Sequence, residues 1–235
     1  MSTNPIQKGK ATHTRMAALV HVGGWRLAVH RRVLIRRLVL GLALAAWLVP
    51  THGGAPVAAA GTTRYVAPSG NDNSDCSGSA NPCKTIGYAV GQAQSGDTIS
   101  IGAGTYAEHL DIEKNLTLAG TGARVTVIDG SSSSGTVVTI GHTNTAAVVT
   151  LSGMTIEHGS TTGAGGGIVN AASLTLANSM VISNTAAGGT AAGGGGIASD
   201  GPLALTNSTV SGNTAAGFGG GIDESGTVKS NQQHH

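Results

Sequence analysis

Glu108, His109, Asp111 and Glu113 form the densest run of ionisable side chains in the chain beyond residue 60, and Arg124 and Asp129 follow soon after. Asp111 and Glu113 lie two apart in and just after the alternating run Leu110-Asp-Ile112, so a strand would put both carboxylates on one face. Two chemistries suit these residue types. An arginine base beside carboxylates that hold Ca²⁺ would carry eliminative cleavage of an acidic polysaccharide, with Arg124 as base and Asp111, Glu113 and Asp129 as ligands. Two carboxylates about 6.5–9.5 Å apart would instead carry inverting glycoside hydrolysis. The same residues also suit a solvated outer face, and the sequence favours that reading, because nothing else around them completes a catalytic motif.

Other candidates are thinner. Asn71, Asn73 and Asp75 have the oxygen spacing that opens a Ca²⁺ loop, but the twelfth position is Pro82 where a bidentate Glu would be needed. A polar turn is therefore expected there, and neither a cofactor nor a metal is expected elsewhere. Gly141-His142 is followed by Thr143, so no Gly-His-Gly occurs, and no Arg-x-Lys is present. His142 and His158 read as single surface or turn residues. His158 neighbours Glu157, but adjacent strand residues point to opposite faces. No phosphate loop, nucleophile elbow, zinc motif or dinucleotide fingerprint occurs.

The elements that would position these residues follow from composition. Of 235 residues 38 are glycine, 40% are hydrophobic, 10% are charged and 3% are aromatic. There is no Gly-X-Y period, which excludes collagen. So few aromatic side chains exclude an ordinary core built on Phe, Tyr and Trp. Charge is split along the chain. Residues 1–60 hold eight of the 13 Lys and Arg and no acid, while residues 61–235 hold five bases and all 11 acids. The body is acidic, with its bases scattered at Arg64, Lys84, Lys114, Arg124 and Lys229, so no nucleic-acid partner is expected.

The basic start has the order of a secretory signal. Arg31, Arg32, Arg36 and Arg37 precede an apolar run over 38–49, Pro50 ends it, and Ala58-Ala59-Ala60 leads to Gly61, with cleavage expected between Ala60 and Gly61. That apolar run is shorter than the roughly 20 residues of a membrane span, so membrane contact is expected only through the leader during export. Translation from Met16 and a weak twin-arginine likeness at His30 to Arg36 stay open. The expected location is secreted or cell surface. Cys76 and Cys83 are the only cysteines, and in an exported chain such a pair reads as a disulfide.

The body repeats itself. Gly-Gly-Gly-Ile occurs at 165–168, 194–197 and 219–222, and the segment from Leu174 to Ala186 matches that from Leu203 to Ala215 at an offset of 29. The frame extends back to Val149-Thr-Leu151 at an offset of 25. Such periods mean a solenoid. Short alternating runs between Gly, Asn, Ser and Thr leave no room for helices, so the solenoid is a parallel β-helix with two or three strands per coil. Further strands are expected at Ile99-Ser-Ile101, Leu110-Asp-Ile112, Leu116-Thr-Leu118, Val125-Thr-Val127 and 137–140, giving five or six coils of roughly 20–29 residues each over 97–228. Asn178 with Asn207, and Asn184 with Asn213, should stack as amide ladders. A helix over 84–94, with Ile86, Ala89, Val90 and Ala93 on one face, should cover the first coil.

Tyr65-Val-Ala-Pro-Ser-Gly-Asn71, Asn81-Pro-Cys-Lys-Thr-Ile86, Gly96-Asp-Thr-Ile99 and Gly102-Ala-Gly-Thr-Tyr106 together resemble the opening of bacterial right-handed parallel β-helix proteins of the pectin-lyase-like superfamily. The run from Asn115 to Gly120 and Val127-Ile-Asp-Gly130 continues the likeness. The later Gly-Gly-Gly-Ile and Val-x-x-Asn-Thr-Ala units resemble polymorphic outer-membrane-protein repeats, with Val181 and Val210 where those carry Phe. The resemblance implies an all-β, right-handed parallel β-helix with a short N-terminal capping helix, behind a signal peptide.

The expected organisation is a leader at 1–60, a strand, disulfide loop and capping helix at 61–96, coils at 97–228 and a polar tail at 229–235. The repeat stops in mid-coil, which reads as a truncated reading frame or as an end that a partner covers, truncation being favoured. The expected function is a non-catalytic, adhesin-like protein that binds an extracellular glycan or surface protein. The alternatives are a polysaccharide lyase or glycoside hydrolase, and a truncated product without independent function.

Overall fold

The computed structural model describes residues 61–225 and 228–231. The expected leader, with Ala60 of its cleavage site, and residues 232–235 of the expected tail lie outside them. Every pairing between the named strands is parallel, and each strand pairs with its equivalent one coil later, so the chain is a parallel β-helix. A seven-stranded sheet stacks Thr63–Val66, Thr98–Ile101, Leu116–Gly120, Val148–Ser152, Ser173–Ala177, Leu203–Thr206 and Val228–Asn231. One five-stranded sheet stacks Gly104–Tyr106, Thr126–Asp129, Thr155–Glu157, Met180–Ile182 and Thr209–Ser211. The other stacks Leu110–Ile112, Val138–Ile140, Ile168–Asn170, Ile197–Ser199 and Ile222–Glu224. The later coils exceed the expected two or three strands, because each adds a short fourth one, at Ser160–Thr161, Thr185–Ala186 and Thr214–Ala215.

Alternation builds the core. Ile99 and Ile101, Leu116 and Leu118, Val149 and Leu151, and Leu174 and Leu176 are buried, while the residues between them face outward. Each buried Leu or Ile contributes about 1.5–3 kcal/mol relative to exposure. The repeat offsets appear as strand register: Leu174 pairs with Leu203 and Val149 with Leu174. Two coils fall outside the expected length. The coil from Ile99 to its partner Leu118 is shorter, and the coil from Leu118 to its partner Leu151 is longer. The long coil carries a short 3₁₀ turn at Gly130–Ser132 and the turn over 141–147, which bulge outward without disturbing the ladder. The strand expected at Val125-Thr-Val127 is one residue out of phase. It runs Thr126–Asp129, with Thr126 and Ile128 inward and Val125 half exposed. Thr126 is tolerated inside because its hydroxyl donates to the Gly102 carbonyl. Residues 229–231, assigned to the tail from the sequence, belong to the last strand of the long sheet, where Ser230 pairs with Leu205.

The single α-helix among the described residues, α1, runs Ile86–Gln92. It is shorter than expected at both ends, because Thr85 is an extended N-cap whose hydroxyl accepts from Tyr88 N, and Ala93 is an extended C-cap. Ile86, Ala89 and Val90 bury against the strands at 63–66, 98–101 and 110–112. The disulfide between Cys76 and Cys83 ties the loop before it, with both cysteines fully buried.

The Gly-Gly-Gly-Ile units are explained by the closeness of successive coils. The first glycine of each, Gly165, Gly194 and Gly219, has φ of 67, 63 and 59°, in the left-handed region. The third glycine lies under the next coil: a Cβ on Gly196 would sit 2.6 Å from the Gly221 carbonyl oxygen and 2.7 Å from Asn213 Nδ2. Gly196→Ala should therefore destabilise the chain by about 1–3 kcal/mol in denaturant unfolding. Gly78→Ala, where a Cβ would meet nothing within 4 Å, should change stability by less than about 0.5 kcal/mol.

Candidate functional site

Asp111 lies in the strand Leu110–Ile112 and Glu113 just beyond it, and each carboxyl shifts the ionisation of the other. Glu113 is fixed from the next coil. It accepts from Thr143 N at 3.0 and 3.1 Å and from Asn144 N at 2.7 Å, and Asn144 Nδ2 donates back to the Glu113 carbonyl at 2.9 Å. Burial alone would raise the Glu113 carboxyl, but these backbone donors hold it below its ordinary value. Asp111 goes the other way. Desolvation raises it, the charge of Glu113 raises it further, and His142 only partly offsets this. The pair thus separates into one carboxyl that keeps its proton longer and one that ionises early, the arrangement from which acid and base roles are made. A shallow groove of 340 Å³ beside them is lined by His109, Leu110, Asp111, Thr136, Thr139 and His142. His109 Nδ1 lies 2.8 Å from the Thr136 carbonyl, and its Nε2 is buried without a partner among the described residues.

The rest of the expected lyase group is not assembled here. Arg124 is exposed on the turn over 121–125 and makes no ion pair among the described residues. Asp129 belongs to the other five-stranded sheet, where it pairs in register with Glu157. It joins His158, whose Nδ1 is 3.3 Å from Asp129 Oδ1 and 3.7 Å from Glu157 Oε1. The expectation that Glu157 and His158 face opposite ways is corrected. His158 has φ of 59°, and a left-handed residue breaks the alternation of a strand. In the N-terminal loop, Asp75 is turned onto its own neighbour. It accepts from Ser77 N at 3.1 Å and from Ser77 Oγ, an Asx turn of the kind expected of a polar loop. Asn71 and Asn73 are joined only through the backbone, at 3.0 Å.

A larger pattern was missed from the sequence. Most carboxylates of the body take backbone N–H groups at coil corners. Asp72 accepts from Lys84 N and Thr85 N, Asp97 from Thr62 N and Gln94 N, Glu108 from Ile86 N and Gly87 N in the first turn of α1, and Asp129 from Ser131 N. Among the described residues only Asp97 also pairs with a strong base, the buried Arg64, at 2.9 Å. Burial would raise Asp97, yet the amides and the guanidinium together hold it below its ordinary value. Glu108 is thus a helix-capping residue and not part of a site. It reaches α1 from the following coil, so no local pattern in the sequence signals the role.

The sign of each shift fixes a pH dependence. Glu113, lowered by folding, adds stability above its unfolded value that is lost as pH falls through its folded value. Asp111, raised by folding, favours the fold at low pH, and that advantage is lost as pH rises through its folded value. In Glu113→Gln the Asp111 carboxyl should titrate at lower pH than in the unaltered chain, followed by carboxyl carbon NMR. The variant should lose stability at pH 7 and little at pH 3. An unmoved Asp111 titration would mean the two groups are not coupled.

No protein-family model matches the chain, and no curated protein matches it. Among solved structures it is similar to a mutant pectin methylesterase crystallised with a hexasaccharide, at 14% identity and a TM-score of 0.37, over 65% of this chain and 54% of that one. The chain therefore spans about half the length of that structure. Similarity of this degree bears on neither activity nor substrate.

Proposed function

We propose that the chain is an exported β-helix protein, directed outward by residues 1–60, that binds an extended extracellular glycan along its long sheet and performs no chemistry on it. The observation that carries this reading is a column of outward threonines. Thr63, Thr98, Thr117, Thr150 and Thr175 follow one another in register up five successive strands. Parallel strands lie about 4.8 Å apart, so the column is a regular ladder of hydroxyls and methyls. The neighbouring outward column begins at Tyr65 and is small and uncharged above it, at Ser100, Ala119, Ser152 and Ala177, which keeps the face flat from the second strand on. Two shallow grooves of 280 and 350 Å³ flank the ladder, one beside Thr117 and Thr150, the other beside Thr175 and Ala204. A flat surface with evenly spaced hydroxyls suits a repeating polymer that offers hydroxyls of its own, as solenoid faces do. The sequence features of the pectin-lyase-like superfamily and of outer-membrane repeats agree with an extracellular setting.

The second reading is a polysaccharide lyase or hydrolase, and the split protonation of Asp111 and Glu113 is what favours it. Against it stand the separation of Arg124 and Asp129 from that pair and the use of Glu113 to bind the next coil's amides. The purified full chain is incubated with a panel of neutral and acidic polysaccharides, with Ca²⁺ or with chelator. Absorbance reports unsaturated uronate, and co-sedimentation reports binding. The expected outcome is binding without release, weakened at least about tenfold in Thr150→Glu, which places a charge in the contact. Ca²⁺-dependent release that disappears in Arg124→Ala would replace this reading with a lyase.

A further inference from the structure

We propose that Asp129, Glu157 and His158 form a site for one divalent first-row transition-metal ion, held by two carboxylate oxygens and the imidazole Nδ1, with its remaining positions open to water. The site lies on the sheet that carries neither the threonine ladder nor Asp111. Its ligand atoms come from two successive coils and all lie within 4.8 Å of one another. An ion bonded at about 2.0–2.2 Å to oxygen and nitrogen holds tetrahedral ligand atoms about 3.3–3.6 Å apart and, as the angle opens, spans up to about 4.2 Å. The His158 Nδ1 separations of 3.3 Å from Asp129 and 3.7 Å from Glu157 already fall inside that span.

Charge supplies the independent argument. Asp129 and Glu157 are directly paired in the parallel ladder, and like charges facing each other across strands are destabilising. Both are largely covered, with side-chain exposures of 19 and 21%. Asp129 has one backbone donor, Ser131 N at 2.8 Å, whereas Glu157 accepts no hydrogen bond from any described donor. No Lys or Arg pairs with either among the described residues. The only local counter-charge is the His158 ring, which is 49% exposed and carries a charge only when protonated. Glu113 and Asp97 each take two backbone amides; here Ser131 N is the one amide among the described residues that reaches either carboxylate, and the imidazole is a ligand with a free lone pair when neutral. An imidazole with two carboxylates suits zinc, manganese or iron, and argues against calcium, which takes six to eight oxygens. Three protein ligands with open positions is also the pattern of ions that keep bound water.

The test uses the full chain, stripped with chelator and titrated with Zn²⁺ by calorimetry, beside Asp129→Asn and His158→Gly. Both substitutions spare the backbone. Asn still accepts from Ser131 N, and Gly adopts the left-handed conformation freely. Because the chain has nine histidines, two of them at 234 and 235, the reading is the difference between chains. The unaltered chain should take up one more equivalent than either variant, or bind its tightest equivalent at least about tenfold more strongly, and its unfolding temperature should rise with Zn²⁺ more than theirs. Equal stoichiometry, affinity and thermal shift in all three would overturn the proposal, as would an ion bound at these residues that is Ca²⁺ and not Zn²⁺. If a variant loses its β circular dichroism, Glu157→Gln takes its place under the same criteria.

Discussion

The hydrogen-bonded stacking of each strand on its equivalent in the next coil governs everything else in the molecule. It fixes the rise between coils at about 4.8 Å. Any residue type that recurs at the same register position is then forced into a column. Leucines and isoleucines make the core, asparagines make ladders, and threonines make an outer face. Asn184 shows how complete the accounting is: fully buried, it accepts from Gly159 N and donates to the Ile156 and Ile182 carbonyls and to Asn213 Oδ1. At the corners the same closeness leaves no space for a Cβ, and glycine follows from that. A helix or a wide turn can still be added, provided it leaves the stack outward.

The body carries few bases, and this shapes its electrostatics. With little cationic surface available, its acids are stabilised by peptide N–H groups of neighbouring coils and of α1. A carboxylate in such a role works as a peg between layers. That is why a cluster that reads as catalytic in the sequence divides into capping residues, one coupled pair and one group that draws in an imidazole. Glu108 and Asp111 are close neighbours in the chain, yet one caps a helix and the other lines a groove.

The fold was legible where the repeat is regular. The match between 174–186 and 203–215 gives register directly, and both asparagine ladders follow from it. It was less legible where coil length changes. The short coil from Ile99 to Leu118 and the long one from Leu118 to Leu151 hide the threonine ladder, because Thr98, Thr117 and Thr150 align only after strand pairing is known. They also hide the separation of Asp111 from Asp129, which looked like neighbours on successive turns and stand on different sheets. The phase error at Val125 arose because Val-Thr-Val alternates as convincingly as Thr-Val-Ile, and only the buried hydroxyl of Thr126 decides between them. The turn at His158 was signalled only through the repeat: its equivalents in the next two coils, Ser183 and Gly212, are also left-handed, and the glycine marks the corner.

One inner column changes character along the stack. Ile112, Ile140, Asn170, Ser199 and Glu224 occupy the same register position on successive coils. Asn170 Nδ2 donates to Ser199 Oγ at 2.9 Å, and both side chains are buried. Near-identical coils have an ambiguity that ordinary domains lack: a strand could dock one layer too early or too late and still find leucine against leucine. Such a misthreaded stack would part Asn170 Nδ2 from Ser199 Oγ and leave that buried donor without its partner in the next coil, at about 1–3 kcal/mol. The polar column therefore works as a page number. It makes the layers distinguishable to a folding chain whose repeats would otherwise be interchangeable.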